Sequence, residues 1–96
     1  GGGADAALIS QGEQLFKENC KSCHKVHEES VGPALSGVTK RRKSAWLHDW
    51  IRNSSKMIAA GDKEAVELFN KYNKTQMTSF PTFTDEQINA LLVYVE

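Results

Sequence analysis

The 96-residue sequence predicts an all-α domain. Apolar residues recur at helical spacing in four segments, and the sequence lacks the strict alternation that is typical of half-buried strands. Residues that commonly cap helices precede three of these segments. A chain of this length buries roughly two-thirds of its unfolded surface, so four or five short helices leave a thin core of side chains.

The first predicted helix covers residues 6–19, where the apolar side chains share one face. Residues 27–43 contain two glycines and one proline with little periodicity, and they predict an ordered loop. A loop of this length in so small a domain is commonly functional.

Two further helices are predicted in the middle of the chain. Ser44 is a candidate N-cap for a helix with a strong apolar stripe, and this helix is expected to end near residues 53–55. Asp62 is suited to cap the next helix, which is expected to stop before Asn73.

The last helix has the clearest start. Thr84 and Gln87 have the spacing of a capping box, and the acids that follow Thr84 favour the positive end of the helix dipole. The buried face of this helix is supplied by Ile88, Leu91, Leu92 and Val95.

A C-x-x-C-H pattern formed by Cys20, Cys23 and His24 follows the first helix, and it marks covalent attachment of a c-type haem. Each thiol can add across one vinyl group of the macrocycle, and the adjacent imidazole then lies under the iron. A thiol–disulfide pair and a zinc site completed by His24, His27 or His48 are the alternatives. The first needs a βαβ context and the second usually brings a further ligand pair, so the pattern favours one haem c per chain.

Charge and hydropathy exclude some function classes. Twelve basic and twelve acidic residues cancel, which argues against non-specific binding of nucleic acid. The basic run 40–43 is either a solvated turn or a site that neutralises haem propionates or docks an acidic partner. No apolar run has the length of a membrane span.

We expect residues 1–5 to be a linker or cloning remnant and residues 6–96 to be one domain. A membrane tether upstream of this sequence is an open alternative.

The second axial ligand of the iron decides between electron transfer and an open catalytic or sensing site. The candidates are Met57, Met77, His27 and His48. His27 is too close to His24 in sequence to reach the opposite haem face. Met57 lies in an apolar patch at a helix end, where a methionine more often fills a packing gap than binds a metal. His48 lies on a predicted helix, where an exposed or hydrogen-bonded histidine is the commoner case. Met77 lies in a helix-free loop that is long enough to wrap the haem, so it is favoured.

The whole arrangement resembles the class I monohaem cytochromes c of bacterial type, including oxidase-linked and membrane-tethered domains. The resemblance rests on the C-x-x-C-H pattern, on Gly32-Pro33-Ala34-Leu35, and on a methionine loop before a C-terminal helix. It implies the cytochrome c fold, in which the helices wrap one covalently bound haem. It also implies that the Pro33 carbonyl accepts the Nδ1 proton of His24 and that Leu35 contacts the haem.

The resemblance further implies contacts to the haem propionates. Trp46 or Trp50 and Arg41 or Arg42 match this role, and we take Trp50 and Arg41 as the candidates. The family's crossing of first and last helices is matched by four residues: Gly12, Phe16, Leu91 and Tyr94. One departure is that Thr78 follows Met77, where many members have proline.

The function implied by the resemblance is that of a one-electron carrier, not an enzyme, with His24 and Met77 as axial ligands. Its expected partners are redox proteins, such as a quinol-oxidising complex and a terminal oxidase or reductase. The expected location is the periplasm or the outer face of the cytoplasmic membrane, with or without a tether, and the expected state is monomeric. A haem enzyme or gas sensor with an open or labile sixth site is the alternative function.

Overall fold

The computed structural model describes residues 6–96, and that part of the chain is helical without strands. Five helices follow one another: α1 (Ala6–Asn19), α2 (Val38–Arg41), α3 (Ser44–Ala59), α4 (Lys63–Lys71) and α5 (Asp85–Val95). The predicted all-α class is confirmed. The linker expected at residues 1–5 lies outside the described residues. Within residues 6–96, every helix is too short or too polar to span a bilayer.

Side-chain caps begin α4 and α5. Oδ2 of Asp62 accepts a hydrogen bond from the amide of Ala65 at 2.9 Å, so Asp62 is the predicted N-cap of α4. The capping box of α5 is also present, because the side chains of Thr84 and Gln87 each accept a hydrogen bond from the backbone amide of the other. These local bonds place α4 and α5 where the sequence predicted them.

Two parts of the helix prediction were wrong. The single turn of α2 forms inside the predicted loop, after Gly37 has turned the chain with a φ of 75°. Ser44 is the first helical residue of α3, and the N-cap is Lys43. The first segment of α3 ends at Asn53 (φ −163°, ψ 80°), within the predicted range 53–55, and a second helical segment continues to Ala59. Oδ1 of Asn53 accepts a hydrogen bond from the amide at position 56 at 3.2 Å, so Asn53 acts as an internal N-cap from which the helix resumes.

The crossing of α1 and α5 organises the core. A Cβ atom at Gly12 would lie 2.0 Å from the carbonyl oxygen of Ala90, so the two helix backbones are in direct contact. The rings of Phe16 and Tyr94 pack beside this point with centroids 5.6 Å apart. A buried cluster joins α1 to α5 through Phe16, Leu91 and Val95. A second buried cluster joins α3 to α5 through Leu47, Ile88 and Leu92.

The N-terminus of α5 is also tied to α3 by charge. Nη2 of Arg52 donates to Oδ1 of Asp85 at 2.5 Å, and Nδ1 of His48 lies 3.1 Å from the same oxygen. The hydrogen bond from Arg52, then the one from His48, hold the pKa of Asp85 below its ordinary value of 3.8. A lowered pKa in the folded state gives stability that is present above the unfolded pKa and is lost as pH falls through the folded pKa.

The free energy of unfolding of the wild type is therefore expected to exceed that of Asp85→Asn near neutral pH. This difference should shrink as pH falls below about 4 and vanish in stronger acid. Denaturant unfolding of both proteins from pH 7 to pH 2 measures this difference. Glu86→Gln is the matched control, because Glu86 lies in the same helical turn. A difference that stays constant to pH 2 would contradict the assignment.

Candidate haem site

The C-x-x-C-H motif continues directly from α1. The amides of Cys23 and His24 donate to the carbonyl oxygen of Cys20 at 3.2 and 3.0 Å, and the amide of Cys20 donates to Phe16 at 2.9 Å. The motif therefore forms one more helical turn. The side chain of Cys20 is half-buried and that of Cys23 is exposed. Two thiols and an imidazole are thus held on one short, ordered segment.

The ring of His24 is held by the loop that follows the motif. Its Nδ1 lies 3.0 Å from the carbonyl oxygen of Pro33, which can only accept, so Nδ1 donates and Nε2 keeps its lone pair for a metal. The amide of Gly32 donates to the carbonyl of Cys23 at 2.8 Å and draws the loop against the motif. A Cβ atom at Gly32 would lie 2.5 Å from Cε1 of His24, so glycine is required for this approach.

A cavity of about 640 Å³ opens beside the motif. All eight predicted site residues line it: Cys20, Cys23, His24, Pro33, Leu35, Arg41, Trp50 and Met77. Of the four candidates for the second axial ligand, Met77 alone is on this wall. His48 instead lines a shallow depression between α3 and α5 with Asp85 and Asn89.

The cavity fits haem by its size, its lining and its donor atoms. Cofactor sites commonly have volumes of about 300–1,000 Å³ and mostly apolar walls with a few polar groups. Apolar side chains from α3, α4, α5 and the loops share this wall, among them Leu47, Ile51, Leu68, Phe80 and Leu92. Two thiols, an imidazole and a soft thioether on one apolar cavity are the donor set that covalent attachment and axial ligation of haem require.

The environment of Cys20 differs from that of a reactive thiol. Burial raises the pKa of Cys20 to about 11. Redox-active and zinc-binding cysteines work as thiolates, and their surroundings lower the pKa. The raised pKa of Cys20 is the opposite of what a redox-active thiol requires. In the part of the chain from residue 6 onwards, no three His, Cys, Asp or Glu side chains are grouped to hold a metal ion.

The two tryptophans of α3 are stacked on the cavity wall, with ring centroids 5.1 Å apart and planes inclined by 10°. Nε1 of Trp46 donates to Oδ2 of Asp62 at 2.9 Å, and this bond, followed by the bond from Ala65, lowers the pKa of Asp62. The donor of Trp46 is therefore already used, which distinguishes it from Trp50.

The two arginines of the basic run also have different partners. Arg41 donates to the carbonyl oxygens of Ser36 and Ala34 at 2.7 and 3.1 Å, so its guanidinium closes the loop beside the cavity. Arg42 pairs with Glu64 at 2.9 Å. Arg42 thus has an acidic partner within the protein, whereas Arg41 bonds neutral carbonyls.

The loop that carries Met77 is attached to α3 at its interruption. The amide of Phe80 donates to the carbonyl of Ile51 at 3.2 Å, and Oγ of Ser79 donates to Oδ1 of Asn53 at 3.4 Å. Because the helix is interrupted at Asn53, the carbonyl of Ile51 is available to the loop. Sequence reasoning missed this role of Asn53, although the helix was expected to end near it.

Tyr72 and Glu29 also line the cavity, and sequence reasoning did not single out either of them. The hydroxyl of Tyr72 donates to Oε1 of Glu29 at 2.9 Å. The helical periodicity of this segment reports the ring of Tyr72 as apolar and carries no information about its hydroxyl. No pattern in the sequence relates it to Glu29.

Comparisons with known proteins agree with this geometry. The family model described as cytochrome c matches residues 9–96. A cytochrome c from Rhodothermus marinus is 39% identical with a TM-score of 0.84, over 99% of this chain and 79% of that chain. The cytochrome c domain of a Pseudomonas putida protein is 36% identical with a TM-score of 0.75, over 88% of this chain and 83% of that chain.

Among curated proteins, subunit 2 of the cytochrome c oxidase of Bacillus subtilis (strain 168) is 31% identical over 101 residues. That alignment covers 97% of this chain and 27% of that subunit, so the chain spans about a quarter of the length of this relative. Since the family model spans nearly all of the described residues, the chain belongs to the cytochrome c family: it is a class I monohaem cytochrome c whose haem c is bound covalently.

Proposed function

We propose that His24 and Met77 are the axial ligands of the haem iron and remain bound in both oxidation states, so that the chain is a one-electron carrier. The observation that carries this proposal is the shared cavity. Both side chains line it, and Met57, the other methionine, does not. Two retained ligands keep the structural change that accompanies each electron transfer small.

The residues around the cavity have distinct roles in this proposal. Haem c, when bound, supplies an iron that gains and loses one electron. Cys20 and Cys23 anchor the macrocycle, and the Pro33 carbonyl orients His24 and increases the basicity of its Nε2. The thioether of Met77 is a soft donor that favours the reduced metal and therefore raises the reduction potential. The apolar wall, including Leu35, keeps water away from the site.

The propionate contacts are assigned to Trp50 and Arg41. Trp46 and Arg42 are the competing residues, but the first donates to Asp62 and the second pairs with Glu64. A guanidinium has five N–H donors, so the two backbone bonds of Arg41 leave donors for a carboxylate.

The partners of such a carrier are redox proteins. We propose a quinol-oxidising complex as the kind of donor and a terminal oxidase or reductase as the kind of acceptor, and the likeness to an oxidase subunit supports the oxidase. Bacterial cytochrome c domains are typically non-cytoplasmic. We place this domain in the periplasm or at the outer face of the cytoplasmic membrane, as a monomer or a tethered domain, with no native enzymatic reaction of its own.

Replacing Met77 by alanine tests the ligand proposal. The ferric holoprotein is expected to show the methionine-to-iron charge-transfer band near the red edge of the visible spectrum, and Met77→Ala is expected to lose that band completely. Met57→Ala is the matched control and should keep it, because Met57 is a half-buried methionine outside the cavity wall. Loss of the band in Met57→Ala but not in Met77→Ala would reverse the assignment.

The same proteins separate a carrier from a haem enzyme or gas sensor. With both ligands retained, the reduced wild type should bind carbon monoxide poorly at neutral pH, whereas Met77→Ala should bind it readily. Rapid, saturable binding of carbon monoxide by the reduced wild type would favour the enzyme or sensor.

A further inference from the structure

The hydroxyl of Tyr72 and the carboxylate of Glu29 meet at the edge of the haem cavity. The O···O distance is 2.9 Å, and the two residues are 43 positions apart in the sequence. Tyr72 is the C-cap of α4, immediately before the Met77 loop, and Glu29 lies in the segment between the C-x-x-C-H motif and Pro33. The bond therefore joins the methionine side of the cavity to the histidine side.

The backbone around Tyr72 sets the direction in which the Met77 loop leaves α4. The next two residues, Asn73 and Lys74, both have positive φ, 61° and 57°. The amide of Lys74 donates to the carbonyl of Phe69 at 2.9 Å, and the amide of Thr75 donates to the carbonyl of Tyr72 at 3.1 Å. A displacement of Tyr72 would break this turn and move the start of the loop.

The environment of Tyr72 keeps its hydroxyl in the donating form. The side chain is half-buried on the cavity wall. Burial, followed by the hydrogen bond to Glu29, raises the pKa of Tyr72, while the charge of Arg41 opposes the shift. At neutral pH the phenol is therefore protonated, and a carboxylate acceptor gives a stronger hydrogen bond than a neutral one.

We propose that Tyr72 and Glu29 form a clasp that holds the Met77 loop closed over the haem, with Tyr72 as a positioning residue for the methionine ligand. The clasp rests on the proposed ligation by His24 and Met77. Further along the loop, Gln76, Ser79 and Phe80 are hydrogen-bonded to α3. The amides of Lys74 and Thr75 are bonded to the end of α4, so the clasp on Tyr72 holds the point at which the loop starts.

Binding of imidazole to the ferric holoprotein measures loop opening. At saturating imidazole and pH 7, the observed rate is limited by release of Met77. Tyr72→Phe keeps the ring and removes the hydroxyl, and we expect it to accelerate binding about three- to tenfold, the factor that one hydrogen bond commonly contributes. Glu29→Ala should have the same effect. Since the two changes remove one interaction, the double variant should be no faster than either single variant.

Three controls separate the clasp from general destabilisation. Glu29→Gln keeps an acceptor and should retain part of the slow rate. Tyr94→Phe makes the same chemical change at the α1–α5 crossing, and Glu28→Ala removes the neighbouring carboxylate, which pairs with Lys25. Both should bind imidazole at the wild-type rate. A wild-type rate in Tyr72→Phe, or equal acceleration in Tyr94→Phe, would overturn the clasp.

Amide hydrogen exchange tests the clasp without using the iron as a probe. The amides of Lys74, Thr75 and Phe80 are hydrogen-bonded in the closed loop, and their exchange should accelerate by a similar factor in Tyr72→Phe. If the wild type lacks the methionine charge-transfer band, the proposal that Met77 is a ligand fails. Amide hydrogen exchange in Tyr72→Phe still tests the clasp in that case. Unchanged exchange at all three amides in Tyr72→Phe would refute it.

Discussion

Alanine at position 12 is expected to destabilise the folded protein by about 3 kcal/mol, at the upper end of the range for overpacked sites. The added Cβ atom would lie 2.0 Å from the carbonyl oxygen and 2.7 Å from the carbonyl carbon of Ala90, and 2.8 Å from Cβ of Tyr94. These atoms belong to the backbone or sit next to it, so they cannot rotate away. The α1–α5 crossing must separate to accept the methyl group.

The sign of this effect makes Gly12→Ala informative. Inside an isolated helix, alanine is more favourable than glycine by about 1 kcal/mol, so propensity alone predicts stabilisation. Denaturant unfolding of the holoprotein gives the change in free energy. Gly61→Ala is the matched control: its Cβ would meet nothing within 4 Å, and its φ of 79° should cost about 1–2 kcal/mol. If Gly12→Ala is as stable as wild type, α1 and α5 do not cross this closely in solution.

Alanine at position 32 should act on the haem site itself. Its Cβ would lie 2.5 Å from Cε1, 2.8 Å from Nδ1 and 3.1 Å from Nε2 of His24, so the imidazole is the group that must move. Moving the ring breaks the 3.0 Å bond to the Pro33 carbonyl and tilts Nε2. We expect a substantial high-spin ferric fraction at neutral pH and a loss of about 2 kcal/mol of stability, as overpacking commonly costs.

Electron paramagnetic resonance and visible spectra of ferric Gly32→Ala measure the spin state. Pro33→Ala is the matched control, since it keeps the carbonyl that accepts from His24 and should remain low-spin. A fully low-spin spectrum in Gly32→Ala, together with wild-type stability, would show that the loop does not approach the ring as closely as the structure indicates.

The features that could be predicted from sequence are those that depend on neighbours in the chain. α1 ends at Asn19 as predicted, because its apolar face is continuous up to the motif. The N-cap Asp62 and the Thr84–Gln87 box are bonds between residues three apart, so a short pattern identifies them. The C-x-x-C-H turn is similarly local, and its chemistry could be derived before any fold was known.

The features that were missed depend on residues distant in sequence. Asn53 interrupts α3 but does not end it, because its side chain caps the continuing helix and its neighbour Ile51 bonds Phe80 in the Met77 loop. The hydrogen bond between Tyr72 and Glu29 joins segments 43 residues apart, and nothing in either segment specifies the other. The bond from Nε1 of Trp46 to Asp62 also joins residues 16 positions apart, and no sequence pattern indicated it.

The packing of α1 on α5 also sets an order of events during synthesis. Residues 6–19 cannot find their partner until residues 85–95 have been made, so the helix crossing closes a long loop late in folding. Cys20 becomes buried through this packing, because its side chain lies against the cluster of Phe16, Leu91 and Val95. The thiolate is the nucleophilic form of cysteine, and burial raises the pKa of Cys20 to about 11. The thiol of Cys20 is therefore easier to ionise in states in which α5 is undocked than in the closed domain.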